Sequence, residues 1–378
     1  MMYIPRLLSS SILEAQPYFP VTVITGPRRS GKTQLCLHLF PDYKYVNLED
    51  LETRNFAHQD PRAFIDSLGD RAIIDEAQNV PHIFSSIQVS VDNNKDKRFI
   101  ITGSANFSLV KGITQSLAGR AALFTLLPFS FPELNQEDLY KTNIEELIWR
   151  GMYPSVIAEK TPVELFFRNY VNTYVERDVR DLLNIKNLLK FQTFLKLTAA
   201  RCGSEFNAAN IAKEVGMSAT SISEWLSILH ASYIIYKVPP FYANINKRLT
   251  KMPKIYFYDT GLLAYLLGIE DPRQIESSPF KGTLFENLAM GELIKKRYNV
   301  GKYPDISFYR EYSGKEVDAL QREAGGLHLY EIKASGAFNS EFTKNLNYLK
   351  SLIPDVEASS VIYDGETMGN IMINIRDI

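Results

Sequence analysis

The chain has few cysteines and no long apolar run. Its 378 residues include two cysteines, Cys36 and Cys202, which are far apart and lack metal-ligand spacing. We therefore expect reduced core thiols rather than disulfides or a zinc site. No stretch approaches the roughly 18 uninterrupted apolar residues of a membrane span, and residues 1–6 lack the pattern of a secretory signal. These absences predict a cytoplasmic protein with no membrane partner.

The chain also lacks a strong net charge, since its formal value is -1. Any nucleic-acid partner must therefore be bound by a local basic patch. A hydrophobic content of 45% with 22% charged residues is ordinary for a globular protein. At roughly 150 residues per domain, the length predicts two or three domains.

One motif stands out near the start of the chain. A β-branched run over 21–25 precedes it, and a helix-like run over 34–39 follows. A strand, a glycine-rich turn and a helix start form an anion site, because glycine lets the backbone wrap closely around a phosphate. Residues 26–33 fit the phosphate-binding pattern G-x-x-x-x-G-K-[ST] at every fixed position: Gly26, Pro27, Arg28, Arg29, Ser30, Gly31, Lys32 and Thr33.

The motif assigns roles to its last two residues. Lys32 is expected to reach the β- and γ-phosphates of a nucleotide, and the Thr33 hydroxyl to ligate Mg²⁺. A chance match on a surface turn is the alternative, which the flanking strand and helix disfavour.

Two further apolar runs end in polar residues. The run over 72–76 ends in Asp75 and Glu76, about 40 residues after the glycine-rich motif. Ligands lie at the carboxyl ends of parallel strands, so we expect Asp75 to hold Mg²⁺, directly or through water, and Glu76 to polarise the attacking water. The run over 98–104 ends in small polar residues, of which Ser104 or Thr102 could sense the γ-phosphate or orient water, and a simple strand exit is the alternative. Alternation of strands and helices predicts a doubly wound parallel sheet.

These residues resemble the AAA-type branch of the P-loop ATPases, with 26–33 as Walker A, Asp75-Glu76 as Walker B and Ser104 at the sensor position. Segments 117–120 and 127–134 resemble a bacterial and archaeal group of such ATPases. Members of that group carry a C-terminal domain of unknown function with a nuclease-like end. The resemblance covers essentially the whole chain. It implies that Arg120 faces the γ-phosphate, in cis or from a neighbouring subunit of an oligomer. A surface salt bridge is the alternative for Arg120.

The middle of the chain has a helix-turn-helix pattern. Residues 207–215 and 218–230 are predicted helices, and 233–238 and 254–258 are predicted strands, which together indicate a winged helix. The exposed face of the second helix has no Lys or Arg, which favours a structural or protein-binding role over reading of DNA bases. Contact with the DNA backbone stays open at the loop between the strands, the wing, because it is rich in amide and basic side chains: Asn244, Asn246, Lys247, Arg248 and Lys251.

The last third carries a second set of charged residues. Glu286 lies on a predicted helix, Asp318 on a predicted strand, and Glu331 and Lys333 share one face of the next strand, because strand side chains alternate. Pairing of the two strands as a hairpin would bring Asp318 beside Glu331 and Lys333. Two carboxylates and a lysine suit Mg²⁺-assisted phosphodiester hydrolysis.

The order of these residues resembles the D…(D/E)-x-K pattern of the restriction-endonuclease-like superfamily, with Glu286 as the helix-borne acid. The resemblance implies a nuclease site with a bound metal and a DNA groove. A retained binding module without cleavage and a solvated charged face are the alternatives.

We therefore expect an α/β chain of three parts: an AAA-type P-loop ATPase domain over 1–160, a helical connector and winged helix over 161–275, and a small restriction-endonuclease-like domain over 276–378. The expected function is an ATP-binding, Mg²⁺-dependent ATPase that acts as a nucleotide switch for the nuclease-like part. An ATP-gated DNA nuclease is one alternative, and a signalling or protein-binding switch without nuclease activity is another.

Overall fold

The computed structural model describes residues 3–104, 116–135, 142–175, 188–241 and 252–378. Its first part is a five-stranded sheet in the order β2-β3-β4-β1-β5, with every neighbouring pair parallel. The predicted parallel sheet is thus confirmed. Its strands are β1 (Val21–Gly26), β2 (Lys44–Asn47), β3 (Arg71–Asp75), β4 (Arg98–Ser104) and β5 (Ala121–Thr125).

Helices cover both faces of this sheet. Val23 and Ile101 pack into a core on one face, while Ile24 and Ile100 pack into a separate core on the other. Strands buried on both faces are near-continuous hydrophobic runs, which explains the Val and Ile residues of β1, β3 and β4. The helices are α1 (Leu8–Ala15), α2 (Lys32–Leu39), α3 (Leu51–Gln59), α4 (Pro61–Ser67) and α5 (Ile83–Asn93).

The strand order determines what meets at the carboxyl edge of the sheet. β4 lies between β1 and β3, and Gly26 is paired in register with Ser104. Asp75 ends β3 on the same edge. The glycine-rich motif, Asp75 and Ser104 therefore meet at one end of three adjacent strands.

The middle region is mainly helical. Helices α11 (Ala208–Val215) and α12 (Ala219–Ala231) are joined by a turn in which Gly216 has a φ of 68°. The antiparallel pair β6 and β7 follows. The helices are α6 (Phe131–Asn135), α7 (Ile144–Arg150), α8 (Pro154–Ile157), α9 (Val163–Tyr170) with a π-helical extension (Val171–Val175), α10 (Leu188–Ala200), α11 (Ala208–Val215), α12 (Ala219–Ala231), α13 (Thr260–Leu266) and α14 (Arg273–Ser277), and the strands are β6 (Ile235–Val238) and β7 (Lys254–Phe257).

The winged-helix assignment stays a prediction. Helix, turn, helix and two strands occur in the predicted order, but the five wing residues named above fall within 242–251, outside the described residues. Within the described part of the chain, no helix is both long and apolar enough to cross a membrane.

The C-terminal part is a mixed sheet in the order β12-β11-β10-β9-β8. β8, β9 and β10 are antiparallel, while β11 and β12 continue parallel to β10. The predicted hairpin is therefore present as β9 and β10. The elements are α15 (Lys281–Tyr298), β8 (Ile306–Arg310), β9 (Glu316–Glu323), β10 (Gly326–Lys333), α16 (Lys344–Leu352), β11 (Val356–Tyr363) and β12 (Met372–Asn374).

Helix α15 joins this sheet to the segment that follows β5. The Lys295 ammonium donates to the Phe129 carbonyl at 2.8 Å and to Glu292 at 2.8 Å, while Glu292 accepts from the Phe131 amide at 2.9 Å. Both charged side chains are buried. One hydrophobic core runs through all three predicted parts, from Ile4 to Ile375. The domain boundaries at 160 and 275 therefore stay predictions.

Candidate functional site

The glycine-rich loop between β1 and α2 has a curled backbone. Gly26, Arg29 and Gly31 have positive φ angles of 145°, 64° and 94°. A Cβ at Gly26 would collide with the carbonyl oxygen of Leu126, so the first glycine is required sterically. A loop of this shape at the start of a helix is an anion site.

Lys32 lies inside this loop with 6% of its surface exposed. Its ammonium donates to the carbonyl oxygens of Pro27 at 2.8 Å and Gly26 at 3.2 Å. Burial lowers the pKa of Lys32, and the negative charges of Glu76 and Asp75 oppose that shift. No carboxylate of the described residues lies within ion-pair distance of the ammonium, which is therefore held only by the loop that a phosphate would occupy.

Asp75 is held by three hydroxyl groups. Its Oδ2 accepts from Thr33 at 2.8 Å and from Tyr45 at 2.9 Å, and its Oδ1 accepts from Thr102. Burial, followed by the charge of Asp75, raises the pKa of the Tyr45 phenol. Thr33 and Asp75 thus lie side by side as predicted, whereas the contribution of Tyr45 was missed, because nothing in an edge strand marks a hydroxyl for this contact.

Strand β3 ends one residue before the predicted position, so that Glu76 lies outside it. β3 ends at Asp75, and Glu76 has a left-handed backbone with φ 54° and ψ 44° before the short 3-10 turn Ala77–Asn79. Its carboxylate accepts from the Gln78 amide nitrogen, which also donates to the Ser104 hydroxyl at 3.2 Å. Gln78 therefore connects Glu76 to Ser104, a contact that the sequence analysis missed.

A cavity of about 390 Å³ opens onto the loop. Charged and polar groups of the loop, together with Glu49 and Glu76, form one wall. The other wall comes from the beginning of the chain and from the segments after β5, and its apolar members are Tyr3, Ile4, Phe129, Pro154 and Ala158. The same segments also contribute Arg6, Ser155 and Glu159, so the cavity combines charged groups with an apolar part of its lining.

Arg6, which also lines this cavity, holds the loop through buried hydrogen bonds. Its guanidinium donates to the Ser30 carbonyl at 2.9 Å, to the Leu127 carbonyl at 2.6 Å and to the Glu133 carboxylate at 2.9 Å. All of these contacts are buried. The loop is thereby tied to the segment that also contacts α15.

Arg120 does not face this cavity. Its guanidinium pairs with Asp92 at 2.7 and 2.8 Å. Arg120 immediately precedes β5, whose first residue, Ala121, is in register with Val21 at the amino end of β1. A five-residue strand spans about 16 Å, so the in-cis role is wrong and the surface salt bridge is present instead. A role in a neighbouring subunit stays a prediction.

The residues of the cavity fit a nucleotide with Mg²⁺. The Ser30 hydroxyl is buried and has no hydrogen-bond partner among the described residues. Lys32 supplies a cation at the same loop, and Thr33 with Asp75 supplies the hard oxygen ligands that Mg²⁺ prefers. The donor set therefore suits a polyphosphate and its metal.

The four charged residues predicted in the C-terminal part do come together. Lys333 donates to Glu331 at 2.7 Å and lies 3.9 Å from Asp318. Asp318 also accepts from the Ile332 amide at 2.8 Å. The negative charge of Glu286, on α15, is one of the charges that raise the pKa of Lys333. We refer to Glu286, Asp318, Glu331 and Lys333, with Lys254 and Glu316, as the charged cluster.

Lys254 is the member of this cluster that the sequence analysis missed. Its ammonium lies 2.5 Å from Glu316 and 3.4 Å from Glu286. Burial alone would lower the pKa of Lys254, but the charges of Glu286, Asp318 and Glu316 outweigh it and raise that pKa. A signal was available, since Lys254 opens a strand of otherwise apolar residues that is buried throughout.

The carboxylates of the charged cluster are shifted toward their neutral forms. Burial raises the pKa values of Glu286 and Asp318, and burial with the charge of Asp318 raises the pKa of Glu331 to about 8. One oxygen of Glu331 is buried with no hydrogen-bond partner among the described residues. Within the described ranges, no three acidic, histidine or cysteine side chains converge as a metal site. Lysine ammonium groups lie among the carboxylates instead.

Three family models match successive parts of the chain. Residues 18–135 match a model described as an AAA domain, residues 141–273 a domain of unknown function (DUF8612), and residues 281–376 a domain of unknown function (DUF4143). The chain thus has an ATPase-like P-loop domain of the AAA type, followed by regions to which those models assign no function.

Relatives extend over nearly the whole chain. An uncharacterised protein of Mycobacterium tuberculosis is 28% identical over 355 residues, which cover 92% of this chain and 77% of the relative. An uncharacterised protein of Haemophilus influenzae is 23% identical, with 93% and 92% covered. The solved Walker-type ATPase PABY2304 of Pyrococcus abyssi aligns with a TM-score of 0.45 at 12% identity, covering 68% of this chain and 94% of that one.

Proposed function

We propose that the chain is a Mg²⁺-dependent ATPase whose nucleotide state acts as a switch for its C-terminal part. The observation that carries the proposal is the shared cavity of Lys32, Thr33 and Glu76, with Asp75 hydrogen-bonded to Thr33 at 2.8 Å. These are the groups that phosphoryl transfer to water requires: a phosphate cradle, a metal-supporting pair and a residue that orients water.

Each group has one task in this proposal. Lys32 exchanges its loop carbonyls for phosphate oxygens, a stronger charge-assisted contact. Thr33 and Asp75 would hold Mg²⁺, which supplies positive charge against the phosphate oxygens when bound. Glu76 orients the attacking water and accepts its proton.

The apolar part of the cavity lining is our proposed site for the nucleotide base. Ile4, Phe129, Pro154 and Ala158 line it, and Tyr3 adds an aromatic ring. A flat base gains from leaving water for such a surface, because apolar burial contributes about 25 cal/mol per Å². The base would then contact the segment that also contacts α15.

A continuous set of buried hydrogen bonds supports coupling to the C-terminal part. Arg6 links the Ser30 carbonyl to Glu133, and Glu133 accepts from the amide of Ser130 at 2.9 Å. The Ser130 hydroxyl accepts from Asn299, the residue that caps the carboxyl end of α15, at 3.0 Å. A loop displaced by nucleotide would therefore shift contacts that seat α15, the helix that carries Glu286.

The test measures binding and turnover separately. We expect the purified chain to bind ATP and to release phosphate only with Mg²⁺. Glu76→Gln should retain ATP affinity within about twofold while turnover falls by about 10² to 10⁴, the usual contribution of a positioned acid–base group. Turnover at the wild-type rate in Glu76→Gln would remove Glu76 from the mechanism, and failure of the wild type to bind ATP would refute the proposal.

Coupling has its own measurement. Hydrogen exchange of the α15 amides should slow when ATP is bound by the Glu76→Gln chain, because that variant holds nucleotide without turning it over. Arg6→Met should retain some ATP binding but lose this protection. Equal exchange with and without ATP would contradict the switch and leave the ATPase proposal standing.

A second candidate is a DNA nuclease gated by ATP. Convergence of Glu286, Asp318, Glu331 and Lys333, with one buried Glu331 oxygen lacking a partner, favours it. The ammonium groups among the carboxylates weigh against a resident metal. In this candidate, Asp318→Ala abolishes Mg²⁺-dependent DNA cleavage while ATP turnover persists. Absence of cleavage by the wild type with ATP, Mg²⁺ and assorted DNA would leave a signalling or protein-binding switch.

A further inference from the structure

Gln78 contacts two residues of the proposed ATPase site without lining the cavity itself. The same amide nitrogen donates to the Glu76 carboxylate and to the Ser104 hydroxyl, the latter at 3.2 Å. Glu76 immediately follows β3, and Ser104 ends β4. One side chain therefore joins the ends of two neighbouring strands at the carboxyl edge of the sheet.

The backbone brings Gln78 to this position. Glu76 has a φ of 54°, an uncommon value for a residue with a side chain, and the 3-10 turn after it folds residue 78 back toward residue 76. Such strain persists only where the surroundings maintain it. The strained residue here is the one that we assign to water activation.

The orientation of the Gln78 amide follows from its neighbours. A carboxylate accepts hydrogen bonds and cannot donate, so the NH₂ group has to face Glu76. The amide oxygen is left buried with no partner among the described residues. Gln78 is thus oriented by Glu76 and Ser104 alone.

We propose that Gln78 is a positioning residue that holds the Glu76 carboxylate toward the γ-phosphate end of the cavity and ties it to Ser104. Glu76 has several side-chain torsions, and a fixed carboxylate is worth more in catalysis than a mobile one, because reacting groups must be held within a fraction of an ångström. This role rests on the proposed ATPase function and assigns a residue to it that does not touch the nucleotide.

The test compares Gln78→Ala and Gln78→Glu with a control from the same turn. Gln78→Glu preserves the shape of the side chain but replaces the donor by a second carboxylate. We expect both variants to lower kcat by about 10- to 100-fold with KM for ATP and Tm nearly unchanged. Asn79→Ala is the matched control, since the Asn79 side chain donates to the Leu48 carbonyl at 3.3 Å, and its contact with Glu76 is between backbone groups, which alanine retains. It should retain wild-type kcat.

A double-mutant cycle separates positioning from general support of the fold. If Gln78 acts through Glu76, Gln78→Ala should change the residual turnover of Glu76→Gln by less than twofold in long single-turnover assays. A further 10-fold loss in that background, an equal loss in Asn79→Ala, or an unchanged or raised kcat in Gln78→Ala would each overturn the role. A wild-type chain that binds ATP without hydrolysing it would refute the ATPase proposal as well. Normal wild-type turnover with an unaffected Gln78→Ala refutes this role alone.

Discussion

Two buried lysines of this chain, Lys32 and Lys254, are in opposite electrostatic situations. Lys32 contacts only carbonyl oxygens, and burial lowers its pKa. Lys254 lies between Glu316 and Glu286, whose charges with that of Asp318 outweigh burial and raise its pKa. Burial is similar, with 6% and 2% of the two residues exposed.

The difference indicates which site is ready for a ligand. A buried cation without a counter-ion is unfavourable in the ligand-free fold, and an anion that reaches it gains a strong interaction. A cation already paired with carboxylates has little left to offer a phosphate. The glycine-rich loop is therefore arranged to bind an anion, whereas the lysines of the charged cluster already have carboxylate partners.

The largest expected effect is on nucleotide affinity. Lys32→Met should weaken ATP binding by about 1000-fold, or about 4 kcal/mol, because it removes a buried charge-assisted contact. The ligand-free variant should be as stable as the wild type or more so, since an unpaired buried charge is removed. Equilibrium dialysis and urea unfolding check the two halves. Clear destabilisation of the ligand-free variant would contradict the contrast drawn between Lys32 and Lys254.

The corresponding substitution in the charged cluster, Lys254→Met, should have the opposite pattern of effects on stability and on ATP affinity. Lys254→Met leaves Glu286 and Glu316 without their shared cation, so we expect the free energy of unfolding to fall by about 3 kcal/mol. ATP affinity should stay within twofold. Urea unfolding and ATP dialysis of the same preparation provide the measurement. A stable variant would show that Lys254 contributes little to the fold.

A smaller effect is expected in the pH dependence of stability. The pKa of Glu331 rises from 4.5 to about 8 in the folded chain. Across that window the folded state holds a proton that the unfolded chain has lost, so stability falls as the pH rises. The slope contributed by Glu331 is at most about 1.4 kcal/mol per pH unit. Glu331→Gln should flatten it in urea unfolding from pH 5 to 8, and the exposed Glu341→Gln should not.

The smallest effect is expected at Arg120. Its salt bridge with Asp92 is solvent-exposed, and such pairs contribute little to stability. Arg120→Ala should therefore leave Tm and kcat near wild-type values. A loss of turnover by 10³ or more at protein concentrations that favour oligomers would instead identify an arginine supplied to a neighbouring subunit.

The parts of the site that were predictable are local in sequence. The glycine-rich loop and Asp75 are marked by short motifs, because a phosphate requires a particular backbone and the metal requires a carboxylate at a strand end. The β9–β10 hairpin was also predictable, since alternation and a glycine turn determine which side chains share a face.

The missed residues depend on contacts between distant parts of the chain. Arg120 was predicted to face the γ-phosphate in cis. The sequence does not reveal that the residue before β5 lies at the amino end of the parallel strands, away from the glycine-rich loop. Lys254 meets Glu286 and Glu316 only after β7 and β9 are brought together. The contacts of Gln78 depend on the left-handed backbone of Glu76. No sequence pattern predicts that conformation for a residue other than glycine.

Helix α15 has a consequence for dividing the chain into fragments. A fragment that starts near residue 281 would expose Glu292 and Lys295, along with the apolar surface that now rests on residues 129–131. A fragment that ends near residue 275 would leave the Phe129 carbonyl and the Phe131 amide without their partners. We therefore expect either piece, expressed alone, to aggregate or to be digested by protease more readily than the whole chain, and co-expression of the two pieces to restore resistance.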